Sequence, residues 1–139
     1  MKKVLVVLMT LIMVFVVSAC GNTQSTGGNG QMIDVCIDID YPDEAAIPDV
    51  EEYQLQVPEG TTALEMLHAY GEATGVEITM SDTSATAYVT SIGGVEETKD
   101  AGWVYEIDDE MTLEAADKYV VKQGAEITWE YMSWAEMGN

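Results

Sequence analysis

Side chains that do chemistry are sparse in this sequence. His68 is the only histidine, so a Ser-His-Asp relay would have to run through it. No serine sits in the strand-turn-helix elbow that such a nucleophile needs. His68 falls four residues after Leu64, at the edge of a helix's apolar face, and no second histidine or free cysteine lies at metal-ligand spacing. The 25 acidic residues make close carboxylate pairs by abundance alone. Neither Asp38 with Asp40 nor Asp108 with Asp109 stands out as an acid and its base. The run Asp38-Ile39-Asp40-Tyr41-Pro42-Asp43-Glu44 lacks the glycine and terminal glutamate spacing of an EF-hand loop. Cys36 alternates with apolar residues beside Asp34, Asp38 and Asp40, where neighbouring carboxylates disfavour a thiolate. The reading is no catalytic residue, no metal set and no cofactor, hence not an enzyme.

Aromatic residues are the better candidates. Trp103, Tyr105 and Ile107 alternate along one segment, as Ile127, Trp129 and Tyr131 do along another, so each trio falls on one face of a strand. Paired, the two strands build one aromatic wall. Such a wall is either the core beneath a helix or the floor of a site for a flat, amphipathic ligand. If it is core, binding falls to Tyr88, Thr90 and Ser91, to the Gly93-Gly94 loop, and to Trp134, which lies beyond the last strand.

The elements that must position these residues read as follows. Ile33 to Asp40 alternates as a half-buried strand, with Cys36 on the aspartate side. Tyr41 to Asp49 holds two prolines and reads as a loop. Tyr53 to Val57 is a second strand, stopped at Pro58-Glu59-Gly60. Thr62 and Glu65 form a capping box for a helix with Ala63, Leu64, Leu67 and Tyr70 on its apolar face, ending between Gly71 and Gly75. A short strand over Val76–Met80, a loop over Ser81–Thr86 and a strand over Ala87–Ile92 follow. Strands at Gly102–Ile107, closed by the turn Asp108-Asp109-Glu110, and at Glu126–Tyr131 complete the pattern. One helix on a twisted sheet of short strands is an α+β domain.

The N-terminal segment bears on location. Lys2 and Lys3 precede an apolar run from Val4 to Val17, too short for a membrane span, which takes roughly 20 apolar residues, and of signal-peptide length. It ends in Val17-Ser18-Ala19-Cys20, which resembles the lipobox of bacterial lipoproteins. The resemblance implies cleavage after residue 19 and lipid on Cys20. Residues 20–31 then form an uncharged, Gly-rich polar tether, about 18 Å long on average as a coil, and residues 32–139 one small domain. The expected location is the extracytoplasmic face of the cell membrane. The only other cysteine is Cys36, so no disulfide staples the domain. Formal net charge is −20, no arginine occurs, and the cations after Cys20 are Lys99, Lys118 and Lys122. Nucleic acid is excluded as a partner, because nothing neutralises phosphates.

Four segments occur in an order that resembles the transcobalamin-like C-terminal domain family. They are Gly60-Thr61-Thr62-Ala63-Leu64-Glu65-Met66-Leu67, Tyr88-Val89-Thr90-Ser91-Ile92-Gly93-Gly94, Gly102-Trp103-Val104-Tyr105-Glu106-Ile107-Asp108 and Lys122 to Tyr131. The resemblance spans roughly Val50 to Met132 and implies a β-grasp-like fold. It is also to the small domain of the animal cobalamin carriers, implying capture of cobalamin or a related corrinoid, and the short tether would hold such a module beside a transporter to which it passes its load. The carriers' large helical domain has no counterpart here, so a corrinoid would meet half a clamp. The alternative function is an interaction module for an envelope protein or glycan, with no small ligand. Where many members have glycine after the Trp-Tyr strand, this chain has Asp108-Asp109.

Overall fold

The computed structural model describes residues 30–83 and 86–137. The signal-peptide reading and Cys20 lie outside them. Among the described residues, eight strands and one α-helix follow in the order β1 (Met32–Asp40), β2 (Val50–Pro58), α1 (Ala63–Thr74), β3 (Ile78–Thr83), β4 (Thr86–Ile92), β5 (Val95–Glu96), β6 (Ala101–Ile107), β7 (Glu110–Met111) and β8 (Glu126–Ser133). The large sheet runs β2-β1-β8-β6-β7 and the small one β3-β4-β5. β1 and β8 pair in parallel, while the other pairs are antiparallel. This is an α+β domain with a β-grasp-like mixed sheet.

Period-two alternation builds the sheet. Ile33, Val35, Ile37 and Ile39 of β1 are buried, with Cys36 and the aspartates on the opposite face. The buried row meets Leu64, Met66, Leu67 and Tyr70 of α1, and Val89 and Ile92 of β4 close the core. Thr62 caps α1, accepting from the Glu65 amide while Glu65 accepts from the Thr62 amide. A capping box of this kind satisfies two of the helix's orphan donors. Two more, the amides of Ala63 and Leu64, donate to the carbonyls of Tyr119 and Ala116. The long connection from β7 to β8 is thereby tied to the helix N-terminus. Gly75 ends α1 in the left-handed region, where glycine carries no Cβ penalty.

Three expectations are corrected. The strand expected over Val76–Met80 starts at Ile78 and runs on through Thr83. Of the loop expected over Ser81–Thr86, Ser81–Thr83 and Thr86 belong instead to paired strands, with Ser81 opposite Tyr88 and Thr83 opposite Thr86, while residues 84 and 85 lie outside the described residues. Its polar sequence masks backbone pairing that needs no apolar face. The loop over Tyr41–Asp49 contains one 3-10 turn, Asp43–Ala45. Two-residue strands β5 and β7 are too short to carry a period.

Candidate functional site

The β6–β8 register sets Trp103 opposite Tyr131, Tyr105 opposite Trp129 and Ile107 opposite Ile127. The expected aromatic wall therefore forms, and it faces the core. Trp103, Tyr105 and Trp129 are 7%, 7% and 2% exposed. Tyr105 and Trp129 lie 5.3 Å apart, and Trp103 meets Tyr131 edge-on at 5.4 Å. Tyr41 packs edge-on against the far side of Trp103 at 5.6 Å. Burial pushes the Tyr41 phenol up to about 12.

One stretch of this wall is not covered by the helix. There a cavity of about 270 Å³ opens between β4 and the segment 114–116, with Trp103, Tyr105 and Trp129 at its floor. Ala87, Tyr88 and Val89 form one side, and Glu114, Ala115 and Ala116 the other. Tyr88 is 45% exposed, an unusual position for a ring with no core to serve. The rim is pinned twice: the Tyr105 hydroxyl donates to the Glu114 carbonyl at 2.7 Å, and the Leu64 amide donates to the Ala116 carbonyl at 3.0 Å. Burial raises the Tyr105 phenol above its ordinary value, so it remains a donor at neutral pH. The wall's polar handles are unequally used. Trp103 Nε1–H donates to the Val95 carbonyl at 2.9 Å and the Tyr131 hydroxyl to that of Glu96 at 3.0 Å. Trp129 Nε1–H is sealed from solvent and has no protein partner among the described residues.

Four of the residues singled out in the sequence thus meet at this groove: Tyr88, Trp103, Tyr105 and Trp129. The others lie elsewhere. Thr90 is half-buried and its carbonyl accepts from the Glu97 amide. Ser91 is buried, paired with Glu96 and Thr79. Gly93 and Gly94 make the β4–β5 turn, both at positive φ, with the Tyr41 hydroxyl against Gly93. Trp134 lies over Gly102. Sequence reasoning missed Ala87, Val89 and the rim 114–116. The rim's small residues follow Leu113, which is 99% exposed, and carry no periodic signal.

Elsewhere, His68 Nε2 lies 3.1 Å from Met80 Sδ. Cys36 keeps its thiol because burial, then Asp38, Glu126 and Glu52, raise its pKa. Asp108 and Asp109 both take the left-handed conformation, at φ 49° and 64°, so the turn survives without glycine. Among the described residues, no helix is long and apolar enough to cross a membrane.

A family model described as a domain of unknown function (DUF4430) matches residues 60–133. Among solved structures, haptocorrin in complex with Cbi is similar at a TM-score of 0.67 and 17% identity, over 84% of this chain and 29% of that one. A Ruminococcus gnavus ATCC 29149 protein, described as a candidate metal-binding protein, matches at a TM-score of 0.52 and 12% identity, over 73% of this chain and 97% of that one. At these identities the likeness is one of fold. This chain spans under a third of the haptocorrin chain. No curated protein sequence matches it.

Proposed function

The chain belongs to the DUF4430 family, and from that premise we propose that it is an extracytoplasmic, lipid-anchored ligand-capture module. Its ligand is flat and amphipathic, a corrinoid being the leading candidate, and its site is the groove between β4 and residues 114–116. The observation that carries this reading is a cavity lined by Trp103, Tyr105 and Trp129 beside a half-exposed Tyr88. Apolar pockets with few polar groups are the usual form of small-ligand sites. At about 270 Å³ the groove takes one edge of a macrocycle rather than the whole. Haptocorrin, the structural relative, was solved with Cbi bound, which supports the choice of ligand class. A lipid on Cys20 would hold the site within reach of a transporter in the same membrane.

The alternative, an envelope-protein interaction module working through a strand edge, has β2 as its natural edge. That strand presents Glu51, Glu52, Gln54 and Gln56, carries a positive φ at Glu52 and ends in Pro58. Charge, distortion and proline are devices that discourage edge pairing, so the groove is the better-supported site.

Equilibrium dialysis of the full chain in nonionic detergent against cobalamin and cobinamide tests the proposal. Retention that falls when Tyr88 becomes alanine supports it. No retention at tens of micromolar would remove corrinoids as ligands of the isolated protein and direct the search to protein partners.

A further inference from the structure

The rings at the floor of the groove have no hydrogen bond left to give. Trp103 donates its N–H to the Val95 carbonyl and Tyr105 its O–H to the Glu114 carbonyl. The Trp129 N–H is sealed from solvent, out of a ligand's reach. What the lining presents is aromatic and aliphatic surface, with the half-exposed Tyr88 ring at its side. One charged residue lines the cavity, Glu114. Burial first and then, among charges, the Glu114 carboxylate raise the Tyr105 phenol, which sets that charge close to the floor. Among the described residues no lysine or histidine lines the cavity. Lys118, beyond the rim, is paired with Asp117 at 2.9 Å, and the chain has no arginine.

Each class of guest meets this lining differently. An anion finds a carboxylate and no cation to hold it. A primary ammonium gives up water that the floor cannot replace, because its donors need acceptors. A neutral apolar group gains contact area and leaves the charge unused. A methylated ammonium has no N–H to satisfy, buries its methyl groups against the rings, and is attracted by both the aromatic quadrupoles and the carboxylate. We infer that the groove binds a quaternary ammonium group, with Tyr88 and the floor rings as its contact surface and Glu114 as its counter-ion. A cavity of about 270 Å³ takes such a head group whole, where a macrocycle enters only by an edge. The inference rests on the groove being the ligand site, and it names the charge and substitution of the group that enters. The chain's formal charge of −20 adds a field that gathers small cations around it.

The test follows the backbone amides of Ala87, Tyr88 and Val89 in the ¹⁵N-labelled full chain in nonionic detergent. The titrants are choline, ethanolamine, cobinamide and the neutral alcohol in which a tert-butyl group replaces the trimethylammonium of choline. Choline should move these amides saturably, and bind about tenfold tighter than the neutral alcohol or ethanolamine. Glu114→Gln keeps the backbone carbonyl that Tyr105 uses and should remove most of that advantage. No movement with choline, or equal affinity for choline and the neutral alcohol, overturns the inference. So does an advantage that Glu114→Gln leaves intact, or a choline response spread over the acidic surface instead of confined to the groove. The cobinamide arm separates this inference from the proposal beneath it. If cobinamide moves the groove amides and choline does not, the site stands and the ammonium falls. If choline moves them and cobinamide does not, the ammonium stands and the corrinoid falls. If neither does, the groove itself falls as a ligand site.

Discussion

The Trp134 ring occupies the space where a side chain at residue 102 would be. A Cβ on Gly102 would come 2.5 Å from Trp134 Cζ2 and 2.7 Å from Cη2, and the Trp134 amide is held by the Asp100 carbonyl at 2.9 Å. Gly102 is at no positive φ, so the missing side chain is explained by the ring and not by the backbone. Gly102→Ala should therefore destabilise the domain by about 1–2 kcal/mol through overpacking. In a Trp134→Ala background the same change should be neutral or slightly stabilising, since glycine is a poor strand residue. Chemical denaturation of the four variants measures the coupling; additive effects would refute the contact.

The β6–β7 turn carries an avoidable penalty. Asp109 sits at φ 64°, in the second position of a two-residue hairpin loop where glycine is preferred. Asp109→Gly should stabilise by up to about 1 kcal/mol. Asp108→Gly should not, because Asp108 Oδ1 accepts the Glu126 amide at 2.9 Å and anchors the start of β8. Thermal melts of the two variants should move in opposite directions.

The groove's floor and its mouth should separate in mutagenesis. Tyr105→Phe removes the bond to the Glu114 carbonyl and should cost about 1 kcal/mol of stability. Tyr88→Ala, at a site 45% exposed, should change stability by no more than about 0.5 kcal/mol. The same Tyr88→Ala should weaken corrinoid retention about tenfold, the order of one lost aromatic contact. Melting curves and dialysis on the same preparations test both halves.

Acidity should stabilise this protein. Burial, followed by like charges, raises the carboxyl groups of Asp40 (Asp49, Asp38, Glu51), Glu126 (Asp38, Asp109, Asp108, Glu52) and Glu130 (Glu106, Asp40, Glu136). A group raised in the folded state binds protons more readily there than in the unfolded chain. Its favourable contribution is complete below the ordinary carboxylate value and lost as pH rises through the raised one. Asp34, lowered by Gln56 and Gln123, acts the other way, and only below its ordinary value of 3.8. The melting temperature should thus be higher near pH 4, about the ordinary carboxylate value, than near pH 7.5, and salt should narrow the gap by screening the repulsion. A flat profile between the two would contradict the argument.

Much of this fold is legible in the residues, for reasons that are local. The alternation in β1, the Thr62–Glu65 box and the terminating Gly75 each depend on neighbours a few positions away. So does the aromatic wall, once two alternating trios are seen. The groove is harder. Its floor is written in Trp103, Tyr105 and Trp129, but those residues read equally as core, and in the structure they are largely that. Its rim depends on the Leu64 amide finding the Ala116 carbonyl, a bond between distant positions that no pattern in Glu114-Ala115-Ala116 announces. The same holds for Trp134, whose place is set by what Gly102 lacks.

The parallel pairing of β1 with β8 has a temporal consequence. The first of the described strands, β1, lies inside the sheet between β2 and β8, with Cys36 set beside Glu126 and Asp40 beside Glu130. Until the last residues emerge, β1 has only β2 for a neighbour, and a lone hairpin is marginal in water. β6 likewise lacks β8, its main partner. Until β8 is made the large sheet cannot close, which should delay folding of the nascent chain. If the chain is exported as proposed, threading through a membrane pore would be helped by that delay.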